Sequence, residues 1–209
     1  ITTDTAGNAY ISGATTTLNS SYATSGAHQT SINSIYFNSI VNGFILKFDP
    51  NGIRLWGTYY GGQGGTYIGG IKIDSQNNVL ITGTTSAETN ISTTGSYQPN
   101  FARILDAFLV KFNSNGVRLW GTYFGDQETE RTNDLAIDKY DNIYIVGETN
   151  SETNISFNSN FQTQLNKSAN AVSPPSDGFI AKFNADGGLD WSAYDGGVGT
   201  DILSAMVVI

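Results

Sequence analysis

Apolar positions in this chain come in short runs of β-branched and aromatic residues, each closed by turn residues, and no stretch sustains a helical period. In the middle of the chain the runs fall at 107–112, 117–124, 134–138 and 143–148, and each predicts a strand. The first two are joined by Asn113-Ser114-Asn115-Gly116, whose Asn-Gly suits the positive φ of a tight hairpin, so they should be antiparallel neighbours. The last two are joined by Asp138-Lys139-Tyr140-Asp141-Asn142, again a turn composition.

This pattern is written three times. Residues 43–59 return as 107–123 and, more loosely, as 178–194, and Trp56, Trp120 and Trp191 mark steps of 64 and 71 residues. A second block repeats with it, keeping Asp4, Asp74 and Asp138, Asn8, Asn78 and Asn142, and Gly13, Gly83 and Gly147 in register. A third block sets a flat ring before Gln, in His28-Gln29, Tyr97-Gln98 and Phe161-Gln162. From Gln98 to Phe108 is 10 residues and from Gln162 to Phe179 is 17, a difference that accounts for the whole change of period. Length variation confined to one point marks a surface excursion on a repeated scaffold.

Four consecutive antiparallel strands with a recurring aromatic vocabulary are the signature of a β-propeller blade. The fold class expected is all-β, with three four-stranded repeats at approximately 1–70, 71–134 and 135–205 in one partial propeller. The Trp column should be buried or nearly so between sheets. Ile1 and Met206 both align with Ile71, so the chain enters and leaves at the start of a third strand. Propellers close with typically four to eight blades. Three blades therefore read as a piece of a longer chain or as half of a self-assembly, with 206–209 pairing as a strand or lying exposed at an open end.

The order Asp/Asn-Ala/Gly-Phe, Lys-Phe-Asn-x-x-Gly, Trp-Gly-Thr-Tyr-x-Gly, Asp-x-x-x-Asn-x-Tyr-Ile-x-Gly and Gly-Ala-His-Gln resembles the SBBP β-propeller repeat of bacterial surface and secreted proteins. It is nearest in flavour to versions from gliding, type IX-secreting Bacteroidota. The resemblance spans almost the whole chain and implies an extracellular or cell-surface scaffold or adhesion module, with no catalytic residues to carry over. The third copy departs at 188–193, where Gly-Leu-Asp-Trp-Ser-Ala stands in place of Arg-Leu-Trp-Gly-Thr, so its second strand is the least secure.

Composition narrows the partners. Of 209 residues 39% are hydrophobic and 12% aromatic, enough for a real core, and 13% charged is too few for a disordered segment. A net charge of −8 with scattered cations speaks against nucleic acid or an anionic membrane. No apolar stretch is long enough to span a bilayer. Cysteine is absent, which excludes disulfides and thiolate chemistry but leaves the compartment open.

Candidate chemistry is thin, and no enzyme, cofactor or metal set is expected. The single histidine, His28, shares its column with Tyr97 and Phe161, which reads as ring packing. Asp138, Asp141 and Asn142 make the best calcium case, yet such turns supply too few oxygens alone, and an Asx turn is favoured. Asp126-Gln127-Glu128-Thr129-Glu130 invites a paired-carboxylate glycosidase, but its sister positions are Gly-rich, and a solvated loop is expected. Repeated aromatics read as packing between blades. Tyr22 and Tyr36, in a non-repeated loop, are the better sugar-stacking candidates for a lectin-like alternative. Four Asn-x-Ser/Thr triplets (Asn19, Asn90, Asn154, Asn166) carry little meaning in so Asn-rich a chain, and Asp4-Thr5-Ala6 resembles a bacterial O-glycosylation signal at Thr5.

Partner recognition, glycan or protein, is expected on the loops 30–43, 99–107 and 163–178, which vary while the scaffold repeats. The third is the longest, and Lys167, Asn170, Pro174, Pro175 and Ser176 are its candidate contacts, stiffened by Pro174-Pro175. The remaining partners expected are further blades of the same parent chain or a second copy of this one.

Overall fold

A computed structural model of the chain describes residues 1–16, 22–33, 41–167 and 175–208. Its strands form three four-stranded antiparallel sheets, each a meander in chain order, and no helix occurs among the described residues. The first sheet holds β1 (Thr2–Thr3), β2 (Ala9–Thr15), β3 (Asn42–Phe48) and β4 (Arg54–Tyr60). The second holds β5 (Thr66–Ile73), β6 (Val79–Thr85), β7 (Asp106–Phe112) and β8 (Arg118–Phe124). The third holds β9 (Glu130–Ile137), β10 (Ile143–Thr149), β11 (Asp177–Phe183) and β12 (Leu189–Asp195). The architecture is that of β-propeller blades.

Grouping the runs of 107–148 as one unit does not give the unit that folds as a sheet, whereas the sheets, 2–60, 66–124 and 130–195, begin within about five residues of the repeats at 1–70, 71–134 and 135–205. The four runs at 107–148 divide between two sheets, β7 and β8 closing the second blade and β9 and β10 opening the third. Hairpin chemistry sets which strands are antiparallel neighbours, but only packing decides where one sheet stops. The third run also begins four residues before expectation, at Glu130. The doubtful strand of the last copy does form, as β12, in register with β11 from Gly178↔Asp195 to Phe183↔Leu189.

Turn chemistry explains the repeat columns. In the loops of 49–53, 113–117 and 184–188, the first side-chain oxygen accepts two backbone N–H groups, as Asp49 Oδ1 does from Asn51 at 2.9 Å and Ile53 at 2.8 Å. Positive φ falls on Gly52, Gly116 and Gly187 alone, not on the residue before them, so each is a wider loop than a two-residue Asn-Gly hairpin. Beside each loop the register shifts, between Lys47 and Phe48, Lys111 and Phe112, and Lys182 and Phe183.

The core lies between blades. Tyr60 of the first blade meets Phe108 and Phe112 of the second at 5.5 and 5.8 Å, and Phe124 meets Phe179 and Phe183 of the third at 5.2 and 6.0 Å. These rings are fully buried, which stabilises each by about 1.5–3 kcal/mol relative to exposure. The Trp column is half-buried rather than buried: Trp56 and Trp120 each lie against a turn glycine of the next blade, and Trp191 has no following blade among the described residues.

The ring-Gln blocks strap the outermost strand of their own blade. Tyr59, Tyr123 and Tyr194 donate backbone N–H to the carbonyls of Gln29, Gln98 and Gln162 at 3.1, 3.1 and 3.0 Å. This strap covers part of an edge that would otherwise be open to pairing with another chain.

Residues 201–208 form no strand, so of the two alternatives expected for 206–209 strand pairing is not seen over 206–208, where Val207 is exposed. They follow the path of β5 and β9 nonetheless: Asp201 N donates to Ser176 O at 2.7 Å, as Thr66 N does to Val41 O at 2.9 Å and Glu130 N to Leu105 O at 2.8 Å. Asn133 Nδ2 holds Leu203 O at 2.9 Å, and Met206 N donates to Asp134 Oδ2 at 3.1 Å. A first strand needs its neighbour β-strand to complete a ladder, and side-chain anchors take that role here.

Candidate functional site

The joint between blades is built twice from the same parts. Trp56 covers Gly116 of the next blade, and its indole Nε1 donates to Ser114 O at 2.9 Å; Lys47 Nζ donates to the same carbonyl at 3.2 Å. Trp120 likewise covers Gly187, and Lys111 Nζ donates to Ala185 O at 3.2 Å. The flat-ring column completes the joint: His28 packs on Phe112 at 5.5 Å and Tyr97 on Phe183 at 6.1 Å. Burial, with the Arg118 charge nearby, holds His28 down to about 4, so it is neutral packing material.

The two outer blades present the unmatched halves. Among the described residues, nothing lies within 4 Å of where a side chain on Gly52 would begin. Phe161, third in the flat-ring column, is 67% exposed. Lys182 reaches Asp190 of its own sheet at 3.1 Å, the residue by which the third copy departs from the others. Asp195 stands where Tyr60 and Phe124 fill the other joints, and it is exposed.

The Asp-x-x-x-Asn turns are closed Asx turns. Asp74 Oδ1 accepts from the N–H of Gln76 at 2.9 Å and of Asn78 at 2.8 Å, and Oδ2 accepts from Asn78 Nδ2 at 2.9 Å and pairs with Lys111 at 2.9 Å. Asp138 repeats this with Tyr140 and Asn142. Asp141 has φ 62°, and its carboxylate receives Ser75 N and Oγ of the neighbouring blade at 2.9 and 2.6 Å. Every carboxylate oxygen in the calcium candidate is thus taken by a donor. Among the described residues, no three His, Cys, Asp or Glu side chains gather as a metal-binding group.

The acidic loop is solvated only at its tip, where Gln127 and Glu128 are exposed, and not at its ends. Glu130 is fully buried and Asp126 nearly so, and Asp106, to which no role was assigned, is fully buried beside them. Glu130 Oε1 accepts from Thr149 Oγ1 at 2.7 Å and Oε2 from Asp126 N at 2.9 Å. Asp106 Oδ2 accepts from Gln98 Nε2 at 3.0 Å and Ala102 N at 2.9 Å, while Oδ1 has no hydrogen-bond partner among the described residues. Burial first, then the Glu130 and Asp126 charges, push Asp106 up to about 7. Sequence reasoning overlooked this pair because its members lie on different blades. The available signal was the column Asn42, Asp106, Asp177 read together with Thr66, Glu130, Asp201. Beside the pair an open cleft of about 410 Å³ is lined by Tyr97, Gln98, Ala102, Gly125, Asp126 and Phe157.

The other sequence candidates disperse. Tyr22 is half-buried, stacked at 4.5 Å on Phe44 and 6.2 Å from Tyr59, so its ring is engaged in packing rather than offered to a sugar. Ser176 is buried and its carbonyl holds Asp201, and Pro175 O accepts from Asn150 Nδ2 at 3.0 Å, so both belong to the third blade's edge. Lys167 remains at the surface in an ion pair with Glu152 at 2.6 Å. Tyr36, Asn170 and Pro174 lie outside the described residues.

Comparison with known proteins agrees with the geometry. The model of the SBBP beta-propeller repeat family matches residues 119–155. That stretch runs from β8 across the joint and through β10, in the phase of the sequence repeat rather than of the sheet. The chain is also 29% identical over 167 residues, 76% of its own length, to an uncharacterized WD repeat-containing protein of Acanthamoeba polyphaga mimivirus. It spans 11% of that relative's length. The chain is a propeller-type repeat protein.

Proposed function

We propose that this chain is a non-catalytic scaffold or adhesion module of a larger secreted or cell-surface bacterial protein. Further blades of the same kind, from the parent chain or from a second copy, complete it. The observation that carries this reading is the joint itself. Its two halves, the Trp-Lys-ring face and the Gly turn with its Phe, are used together twice within the chain and stand unpartnered at Trp191 and Phe161 on one side and Gly52 and Phe48 on the other. A head-to-tail contact of this kind closes into a ring when the rotation per blade allows it.

No observation lifts the lectin-like alternative, since Tyr22 and the repeated aromatics of the two joints are engaged in packing. Sedimentation velocity over a range of concentrations tests the scaffold reading. The expected result is self-association weakened both by Trp191→Ala and by Gly52→Asn, which tolerates positive φ but places a side chain in the path of the incoming indole. A chain that stays monomeric at all concentrations, or associates regardless of both changes, overturns it. Selective binding on a glycan array would move the reading to the lectin-like class.

A further inference from the structure

The unpartnered oxygen of Asp106 has a twin. Asp177 is fully buried, its Oδ2 accepts from Asn166 N at 2.8 Å and from Gln162 Nε2, and its Oδ1 has no partner. Asp106 faces Glu130 across a blade joint, and Asp177 faces Asp201 of the segment after β12. A methyl on Gly125 would meet both Glu130 Oε2 and Asp106 Oδ1, and one on Gly196 would meet Asp177 Oδ1 at 2.6 Å and Asp201 Oδ2 at 3.0 Å, so each oxygen pair faces one small volume.

The first blade shows what the position requires. There the residues are Asn42 and Thr66, both fully buried. Asn42 Oδ1 accepts from Gln29 Nε2 at 3.0 Å and Asn33 N at 3.2 Å, as Asp106 Oδ2 does from Gln98 and Ala102. Its other arm, Nδ2, donates to Val41 O at 2.9 Å, a carbonyl that also accepts from Thr66 N. The amide thus points positive charge at that carbonyl. In the second and third blades an anionic oxygen replaces the amide donor, and in those same blades alone the facing Thr becomes Glu or Asp. Asp106, Glu130 and Asp177 are fully buried, and Asp201 is half-buried with its Oδ2 accepting from Gly197 N at 2.8 Å. Acids so close and so poorly solvated repel, so this paired substitution calls for a positive species between them.

We infer that each carboxyl pair, Asp106 with Glu130 and Asp177 with Asp201, binds one hard divalent cation of the calcium class, the first fastening two blades and the second fastening the segment after β12 to the third blade. Calcium takes oxygens only, from carboxylates, backbone carbonyls and water, at flexible geometry. At the first site these are Asp106 Oδ1, Glu130 Oε2 and the carbonyl of Leu105, the counterpart of Val41, with water entering from the cleft beside Gly125. The hydrogen bonds from Gln98, Ala102 and Thr149 hold the carboxylates in place without occupying Asp106 Oδ1.

The test is calorimetric titration of the chelator-treated 209-residue chain with calcium chloride, with thermal melting alongside. The expected result is two binding events per chain and a melting temperature raised by calcium. Asp106→Asn with Glu130→Thr rebuilds the first blade's own solution, so it should fold, and it should lose one event. Asp177→Asn with Asp201→Thr should lose the other, and the fourfold variant should melt at the same temperature with and without calcium. Absence of calcium binding in the parent chain, with melting that responds to pH alone, would mean that protons fill the sites and would overturn the inference. So would calcium binding that survives the fourfold variant.

Discussion

Trp120 covers Gly187 of the neighbouring blade so closely that a Cβ there would sit 2.9 Å from the ring. Trp56 and Gly116 stand in the same relationship at 3.1 Å, whereas Gly52, at the same turn position with the same positive φ, faces open space. The three glycines separate backbone strain from packing. Gly52→Ala should cost only the left-handed penalty of roughly 1–2 kcal/mol. Gly116→Ala and Gly187→Ala should each cost about 1–3 kcal/mol more through overpacking against the indole. Denaturant unfolding of the three variants measures the difference directly, and equal losses would show that the indoles yield freely.

Asp74 is the most deeply buried of the three Asx-turn aspartates, and it alone pairs closely with a buried lysine, Lys111 at 2.9 Å. Asp74→Ala should therefore destabilise by about 3–5 kcal/mol, since it strands the ammonium as well as opening the turn. Asp138→Ala, whose carboxylate closes only its own turn and a Tyr144 hydroxyl contact, should cost about 1–2 kcal/mol. Chemical denaturation of both variants at neutral pH gives the ranking.

Tyr123 donates its buried hydroxyl to Ala87 O at 2.7 Å, as Tyr60 does to Ile91 O at 2.7 Å. Tyr123→Phe keeps the ring and leaves the carbonyl unsatisfied, a loss of about 1–3 kcal/mol. For a chain of this size each kcal/mol lowers the melting temperature by roughly 2–4 °C, which calorimetry resolves.

Two groups make stability depend on pH in opposite senses in the cation-free protein. His28 is depressed from 6.5 to about 4, so the unfolded chain binds the proton first and stability falls as pH drops from about 6.5 toward 4. Asp106 is raised from 3.8 to about 7, so the folded chain binds the proton first and stability falls as pH rises from about 4 to 7. His28→Tyr, the residue its column carries at Tyr97, should remove the acid-side loss. Asp106→Asn should flatten the rise toward acid. Melting temperatures across pH 4–8 with a chelator present distinguish the two, and a profile unchanged in either variant contradicts the corresponding assignment.

Short-range chemistry was legible in the chain. The turns at Asp74–Asn78 and Asn113–Gly116, the strands between them and the blade class all follow from residues a few places apart, and the flat-ring reading of His28 follows from its column. Because backbone conformation responds to near neighbours, such features are written locally. The rest depended on which segments meet. The sequence repeat has no intrinsic starting point, so only packing could place the blade boundary between Phe124 and Glu130 and divide the middle copy between two sheets. Burial is likewise a property of the assembled joint: Glu130 lies in a stretch that reads as a polar loop, yet Thr149 and Asp106, itself held by Gln98, meet it from other strands. The residues after Asp195 share the apolar pattern of a first strand, but a strand is defined by its partner, and side-chain anchors from Asn133 and Asp134 hold them in its stead.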